Sequence, residues 1–147
     1  MAKIISVGML SIPDIINVGD NISDITVVTK IEMHEIDLKL QMEYCLHIFV
    51  YDIHGEMDTP LVIANWDESK VFPISNSRKD VFLGEKKELF TAKEKNIEIQ
   101  SPIALHLGKF NKLEHYVSRK IEAFATLSPA IGRASKWSDP FTAQIVY

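Results

Sequence analysis

One stretch of the chain, residues 52–58, has residue types and spacing that could bind a metal ion. Oxygen- and nitrogen-bearing side chains occupy alternate positions around Gly55; they are Asp52, His54, Glu56 and Asp58. Calcium loops use such alternation because the side chains of a tight turn can converge on one cation. Histidine is a poor calcium ligand, however, and no closing glutamate follows at the usual distance. The sequence therefore favours a plain solvated hairpin, leaves calcium as the alternative, and indicates no other cofactor.

Histidines are the other candidates for acid–base or metal chemistry. There are five, scattered along the chain: His34, His47, His54, His106 and His115. No second histidine follows His34 at helical spacing, so the zinc-protease pattern is not present. Isolated histidines are more often ordinary surface or half-buried residues than members of one site. The alternative is a barrel or sandwich that binds a small molecule or catalyses a reaction in a cavity lined by histidine and tyrosine.

Nucleophilic catalysis has no support in the sequence, which contains neither a Gly-x-Ser-x-Gly motif nor a glycine-rich phosphate loop. The single cysteine, Cys45, excludes an intramolecular disulfide and is predicted to be a small buried side chain rather than a catalytic thiol. Trp66 and Trp137 could stack on a sugar, but burial in the core is favoured because each removes a large apolar area from water. These features favour a non-enzymatic protein.

The elements that would position these residues are organised around residues 36–52. Every second residue from Ile36 to Val50 is apolar, which is the period of a strand with one buried face. From Cys45 onward the opposite face is also apolar or weakly polar, which predicts a central strand covered on both sides. Because the run is longer than a usual strand, we expect a bend or break at residues 41–43. The inward positions also change parity at residues 34–35, which indicates a bulge or a corner.

The second apolar stripe of this run is the main candidate for an interface. It consists of His47, Phe49, Tyr51 and Ile53. The stripe is an exposed apolar patch, typical of association surfaces, unless another part of the chain covers it. Residues 85–96 are the expected cover; their composition slightly favours a short helix over a long hairpin. The stripe predicts a non-enzymatic binding or assembly module that associates through a sheet face, with a protein partner or as a homo-oligomer.

Further strands are predicted at both ends of the chain and between its turn signals. They cover residues 3–10, 22–33 or 25–33, 61–66, 71–74, 97–107 (as two short strands divided at 101–102), 114–126 and 137–147. Ile5, Val7 and Met9 are expected to share one face of the first strand. In the last strand the residues expected to point inward are Phe141, Ala143, Ile145 and Tyr147. Without βαβ alternation, this pattern predicts one domain over residues 1–147, an all-β antiparallel sandwich of about 7–9 strands with at most one short helix.

Composition limits the partners. The chain has 16 basic and 20 acidic residues in 147, a formal net charge of −4 without a basic stripe, which argues against nucleic-acid and membrane-surface binding. No apolar run could span a bilayer, and the N-terminal run is too short for a signal peptide. The expectation is a cytoplasmic location, or assembly into a particle made in the cytoplasm, unless a leader was removed.

Two segments resemble the fibronectin type III and immunoglobulin-like families. Val18-Gly19-Asp20-Asn21-Ile22 is similar to the turn that joins the first two strands of many such sandwiches. The run from Tyr116 to Ala123, followed by Ser135-Lys136-Trp137-Ser138-Asp139-Pro140, resembles the tyrosine corner and the opening of the last strand in fibronectin type III modules. The resemblance covers about the last quarter of the chain. It implies a sandwich with a binding or scaffolding role and no active site.

Overall fold

A computed structural model describes residues 1–10, 25–52, 60–63, 66, 69–73, 81–106, 120–131, 136, 138–140, 142–144 and 146. Within them the chain forms eight β-strands and one short α-helix. The strands are β1 (Lys3–Met9), β2 (Ile25–Glu32), β3 (Glu43–Asp52), β4 (Pro60–Ile63), β5 (Lys70–Pro73), β6 (Val81–Thr91), β7 (Asn96–Ile103) and β8 (Ile121–Pro129); the helix α1 is Glu35–Lys39. All strand pairs are antiparallel. The predicted all-β antiparallel class with one short helix is confirmed.

The strands form two three-stranded sheets and a two-stranded pair. Sheet A has the order β1-β2-β7, sheet B has the order β6-β3-β8, and β4 pairs with β5. Inward side chains of both three-stranded sheets belong to one hydrophobic core. At the edges, Cα atoms of β1 come within 8 Å of β8, and those of β6 come within 8 Å of β7.

Strand β2 follows its predicted pattern, whereas β1 departs from it at one residue. Ile25, Val27 and Ile31 of β2 are buried, as expected from their odd-numbered spacing. In β1 the register with β2 shifts between Ile4 and Ser6, and the intervening Ile5 is exposed. The prediction that Ile5 shares a face with Val7 and Met9 is wrong, because a bulge places an extra residue in the strand and changes which side chains point inward.

Helix α1 replaces the first part of the long strand predicted from residue 36. His34 caps it: the His34 ring accepts a hydrogen bond from the N–H of Ile36, and the N–H of His34 donates to the Asp37 carboxylate at 3.0 Å. Such a reciprocal capping box stabilises a helix N-terminus. These local bonds outweigh the alternating pattern, so a strand over residues 36–42 is wrong. The predicted break at 41–43 is confirmed: Gln41 has φ of 47° and β3 begins at Glu43.

The helix predicted for residues 85–96 is also wrong; the segment is extended, but β6 and β7 belong to different sheets and so do not form the long hairpin of the alternative. This segment contains most of β6 and the start of β7. β6 pairs with β3 from Thr91 back to Val81, and this ladder overrides the helical preference of the side chains. β7 likewise continues through Ser101 and Pro102 as one strand rather than two.

Two strands are predicted in the C-terminal region, and one of them is observed among the described residues. Ile121, Ala123 and Ala125 of β8 pack against the core from one face, as predicted. In the predicted closing strand, the described residues 138–140, 142–144 and 146 have no strand conformation, and Ala143 is exposed rather than inward. No described strand pairs with this segment, so its alternation has no ladder to join. The other inward positions proposed there, Phe141, Ile145 and Tyr147, lie outside the described residues.

The described helix has 5 residues, far fewer than a helix needs to cross a bilayer.

Candidate functional site

The predicted interface stripe lies on the central strand of sheet B and is largely buried. His47 is 2% exposed and Phe49 5% exposed, while Tyr51 is half-buried. Ile53 lies outside the described residues. Of the two alternatives that the sequence leaves open, an exposed patch and cover by the chain itself, His47 and Phe49 fit the second.

Residues 85–96 do not cover the stripe, because β6 lies beside β3 in the same sheet, and one contact over the outer face comes from Ser69, just before β5. The Oγ atom of Ser69 lies 3.2 Å from that of Ser128 on β8, and both side chains are buried. Ser128 is paired with Cys45 of β3, so it belongs to the same outer face of sheet B as His47. Ser69 consequently lies on the outer face of sheet B, beside the Cys45 end of the stripe. Cys45 is fully buried and not disulfide-bonded, as predicted.

A polar layer around His47 lies on the same outer face of sheet B. The His47 Nε2 atom is 2.9 Å from a carboxylate oxygen of Glu85. A carboxylate only accepts, so Nε2 carries the proton, and Nδ1 of the neutral ring is an acceptor. Thr126 lies opposite His47 on β8, and neither His47 Nδ1 nor Thr126 Oγ1 has a partner among the described residues. Burial lowers the pKa of His47, and the Glu85 carboxylate opposes that shift only in part.

A second polar cluster joins α1 to β3. The buried Asp37 carboxylate accepts a hydrogen bond from the Tyr44 hydroxyl at 2.8 Å, and the Met1 amino group lies 3.6 Å away. Burial acts to raise the pKa of Asp37, but the hydrogen bonds from Tyr44 and from the His34 backbone bring it below its usual value. Burial and the neighbouring carboxylate raise the pKa of Tyr44 to about 12, so it remains a donor. These bonds hold the short helix on the sheet.

The candidate calcium loop is described at its first residue alone. Asp52, at the end of β3, is buried, whereas His54, Glu56 and Asp58 lie outside the described residues. In the part of the chain that the structure describes, no three His, Cys, Asp or Glu side chains come together to hold a metal ion. Calcium binding at residues 52–58 stays a prediction.

The remaining histidines and tryptophans are dispersed. His34 caps α1, and the backbone of the exposed His106 donates to the Leu83 carbonyl at 2.7 Å. His54 and His115 lie outside the described residues. Trp66 is half-buried with φ of 44°, and Trp137 is not among the described residues. Each described histidine thus has its own local partner, and the predicted convergence of histidines and tyrosines in a cavity is not seen among them.

An exposed apolar surface occurs instead at one end of sheet B. Ile36 (57% exposed) and Leu40 (64%) lie four residues apart on one side of the α1 region, and Ile131 (73%) follows β8. Two backbone hydrogen bonds of 2.9 Å, from Met42 to Asp37 and from Ala130 to Glu43, bring both segments to the start of β3. We call Ile36, Leu40 and Ile131 the helix-end surface.

Sequence reasoning missed the helix-end surface because it placed Ile36 and Leu40 on the inward face of a strand. The available signal was the spacing of His34 and Asp37, three residues apart, which is the spacing of a capping box. A helix starting there turns Ile36 and Leu40 to one side, away from the core position of Leu38.

The described chain is thus an all-β antiparallel protein with one capped helix, a covered sheet and an exposed apolar end. No protein-family model matches its sequence, and neither a curated protein nor a solved structure matches the chain. The resemblance to fibronectin type III and immunoglobulin-like modules therefore stays a prediction, and function has to be inferred from the geometry of the chain.

Proposed function

We propose that the chain is a non-enzymatic binding or assembly module that self-associates through the helix-end surface. The observation that supports this role is the grouping of three large aliphatic side chains, each more than half exposed, at one end of sheet B. Grouped exposed apolar side chains mark association surfaces more often than single ones do. The location replaces the sheet face predicted from the sequence, because His47 and Phe49 of that face are buried within the chain.

The size of the helix-end surface indicates a weak and reversible association. Complete burial of one such side chain contributes about 1.5–3 kcal/mol, and a two-fold symmetric contact would bury three from each copy. Lost translational and rotational freedom costs about 4–15 kcal/mol. Only the 57–73% of each side chain that is exposed remains to be buried, so the six side chains contribute about 6–12 kcal/mol. The balance corresponds to a dissociation constant on the order of micromolar or weaker, so association should depend on protein concentration.

Sedimentation equilibrium over a wide concentration range tests this surface with a matched pair of variants. Leu40→Glu places a charge in the helix-end surface, whereas Leu10→Glu changes an exposed leucine at the far end of sheet A, where its N–H donates to the Thr26 carbonyl. We expect the mass of the wild type to rise with concentration, Leu10→Glu to keep that rise and Leu40→Glu to lose most of it while remaining folded. A wild type that is monomeric throughout, or a Leu40→Glu variant that associates like wild type, would contradict the proposal.

A second candidate function, small-molecule binding or catalysis at the His47 layer, is favoured by one specific observation. His47 Nδ1 and Thr126 Oγ1 are buried, adjacent across two strands and unpartnered among the described residues, an arrangement that a small polar molecule could bridge. Thermal-shift screening of small polar compounds, with Thr126→Val as the comparison, tests it. A compound that stabilises the wild type and not Thr126→Val supports this role, and the lack of any such compound removes it.

The calcium alternative at residues 52–58 has a direct test. Calorimetric titration with calcium, together with thermal melting in its presence, should show neither heat nor a shift if that segment is a plain solvated hairpin.

A further inference from the structure

Strand β6 leaves part of its outer side unpaired at the edge of sheet B. It bonds to β3 on one side. On the other side, the chain that follows β7 reaches only its first residues: His106 bonds to the Leu83 carbonyl, and a Cβ on Gly84 would lie 2.6 Å from the Ala104 carbonyl oxygen. Beyond Gly84, no described residue forms a backbone hydrogen bond to the outer side of residues 85–90. We call these residues the β6 edge.

The other sheet edges carry features that prevent strand addition, and the β6 edge lacks two of them. β1 has an irregular register between Ile4 and Ser6, β7 contains Pro102, and β8 ends at Pro129 beside β1. Bulges and prolines are common means of blocking an edge. Residues 85–90 have a regular register with β3 and no proline. Lysine also protects edges, but here two glutamates, Glu85 and Glu88, flank the two lysines.

The side chains of the β6 edge are accessible. Glu85, Lys87 and Leu89 are exposed on the outer face of sheet B, and the residues between them are half-buried. Glu85 keeps 51% of its side chain exposed while it accepts the bond from His47. A strand placed alongside would therefore meet backbone groups that no described residue bonds, flanked by charged side chains.

We propose that a second copy of this chain pairs with the β6 edge as an antiparallel strand, around a two-fold axis at Lys87. In an antiparallel pair, opposite residues share a face, so a two-fold axis perpendicular to the sheet pairs residues of equal parity. The Lys87-centred register keeps residues 85–89 of each copy within the free edge. It also places Lys86 opposite Glu88 of the second copy, and the symmetry repeats that ion pair.

Neighbouring registers fit less well. If the axis is centred on Lys86, Gly84 lies opposite Glu88 of the second copy, but Gly84 is already covered by Ala104. Only residues 85–87 of each copy would then pair. Centring the axis on Glu88 places two glutamates opposite each other and forms no ion pair. The Lys87 register has one unfavourable feature, which is the meeting of the two Lys87 side chains on the axis. An opposite-charge cross-strand pair changes a dissociation constant by up to about fivefold, so the two Lys86–Glu88 pairs outweigh that contact.

The β6 edge is separate from the helix-end surface, so the proposal stands or falls independently of the proposed function. The experiment is sedimentation equilibrium in a Leu40→Glu background, which removes the helix-end contribution. We expect a residual dimer. Lys86→Glu or Glu88→Lys should raise its dissociation constant about tenfold, because two attractions become two repulsions. The double swap, Lys86→Glu with Glu88→Lys, should restore it.

Two further variants sharpen the experiment. Lys93→Glu, in the turn after β6, makes the same change of net charge outside the edge and should leave the residual dimer unchanged. Lys87→Thr removes the repulsion on the axis and should tighten the dimer, a result that misfolding could not produce. The proposal is overturned if the Leu40→Glu protein is monomeric at every concentration, if the double swap fails to recover association, or if Lys93→Glu weakens the dimer as much as Lys86→Glu does.

Discussion

The two central strands, β2 and β3, occupy equivalent places in their sheets but differ in what covers them. Each lies in the middle of a three-stranded antiparallel sheet. Along β2, buried residues alternate with Val28, which is half-buried, and Lys30, which is exposed. Along β3, burial continues on both faces from Tyr44 to Val50. Sheet A thus has an outer face that is partly exposed to water, whereas the outer face of sheet B is buried along β3.

The two sheets also differ in how strongly water surrounds a cross-strand pair of polar side chains on the outer face. On the wet face of sheet A, Lys30 and Glu98 are 3.8 Å apart and both are about half exposed or more. On the covered face of sheet B, His47 and Glu85 are 2.9 Å apart and the histidine is buried. Water screens the first pair strongly, while the second loses solvation on the histidine side. Burial of the outer face therefore decides whether a cross-strand pair affects stability.

Truncation of one outer-face side chain in each sheet gives the largest expected contrast. Phe49→Ala should lower the free energy of unfolding by about 3–5 kcal/mol, because it removes a buried ring and leaves a cavity. Val28→Ala, on the half-buried outer face of β2, should cost about 1 kcal/mol or less. Urea denaturation of the two variants and the wild type measures both losses. Equal losses would show that the outer face of sheet B is not covered in solution.

A smaller contrast concerns the glycines of two edge strands. In β6, a Cβ on Gly84 would lie 2.6 Å from the Ala104 carbonyl oxygen, so Gly84→Ala should force β6 and the chain after β7 apart and cost about 1–3 kcal/mol. In β1, nothing lies within 4 Å of the corresponding position on Gly8, and Gly8→Ala should be neutral or stabilise by up to about 1 kcal/mol. Thermal unfolding of both variants measures the difference. Similar melting temperatures would mean that the close approach at Gly84 is not maintained.

The sequence predicts those strands in which the spacing of apolar side chains directly indicates which residues are buried. The odd-numbered apolar residues of β2 and the two apolar faces of β3 are properties of single strands, so their period indicates burial without knowledge of the neighbours. Residues 35–39 and 85–91 were mispredicted for opposite reasons. A local capping bond at His34 overrode alternation in α1, whereas pairing with β3 overrode helical preference in β6.

The candidate surfaces were harder to predict because they depend on contacts between distant parts of the chain. The apolar stripe at Phe49 was correctly identified as needing a cover, but one contact over this outer face comes from Ser69, which has no sequence signal linking it to Ser128. The β6 edge became visible only when the strand order was known, since a strand at the edge and a strand in the middle can share one pattern. A one-residue bulge, such as the one at Ile5, likewise cannot be recognised from the residue types of the strand.

The smallest expected effect is the pH dependence of the covered hydrogen bond between His47 and Glu85. Burial holds the pKa of His47 below the 6.5 of an unperturbed histidine, so the unfolded chain binds more protons at mildly acidic pH. The contribution of His47 to stability is therefore fully present above pH 6.5. It is lost progressively as the pH falls through 6.5 toward the pKa of the folded state. Urea denaturation at a series of pH values should show this loss in the wild type and less of it in His47→Gln.

Two carboxylate variants, one in each sheet, test whether that pH dependence comes from the covered face of sheet B. Glu85 is the group that keeps the pKa of His47 from falling further, so Glu85→Gln should deepen the depression and enlarge the acid-side loss of stability. Glu98→Gln removes the partner of Lys30 on the wet face, where an exposed pair contributes about 0–1 kcal/mol, and should leave the pH profile unchanged. If both variants gave the wild-type profile, His47 would be solvated in solution. The two outer faces would then not differ in the way the buried stripe requires.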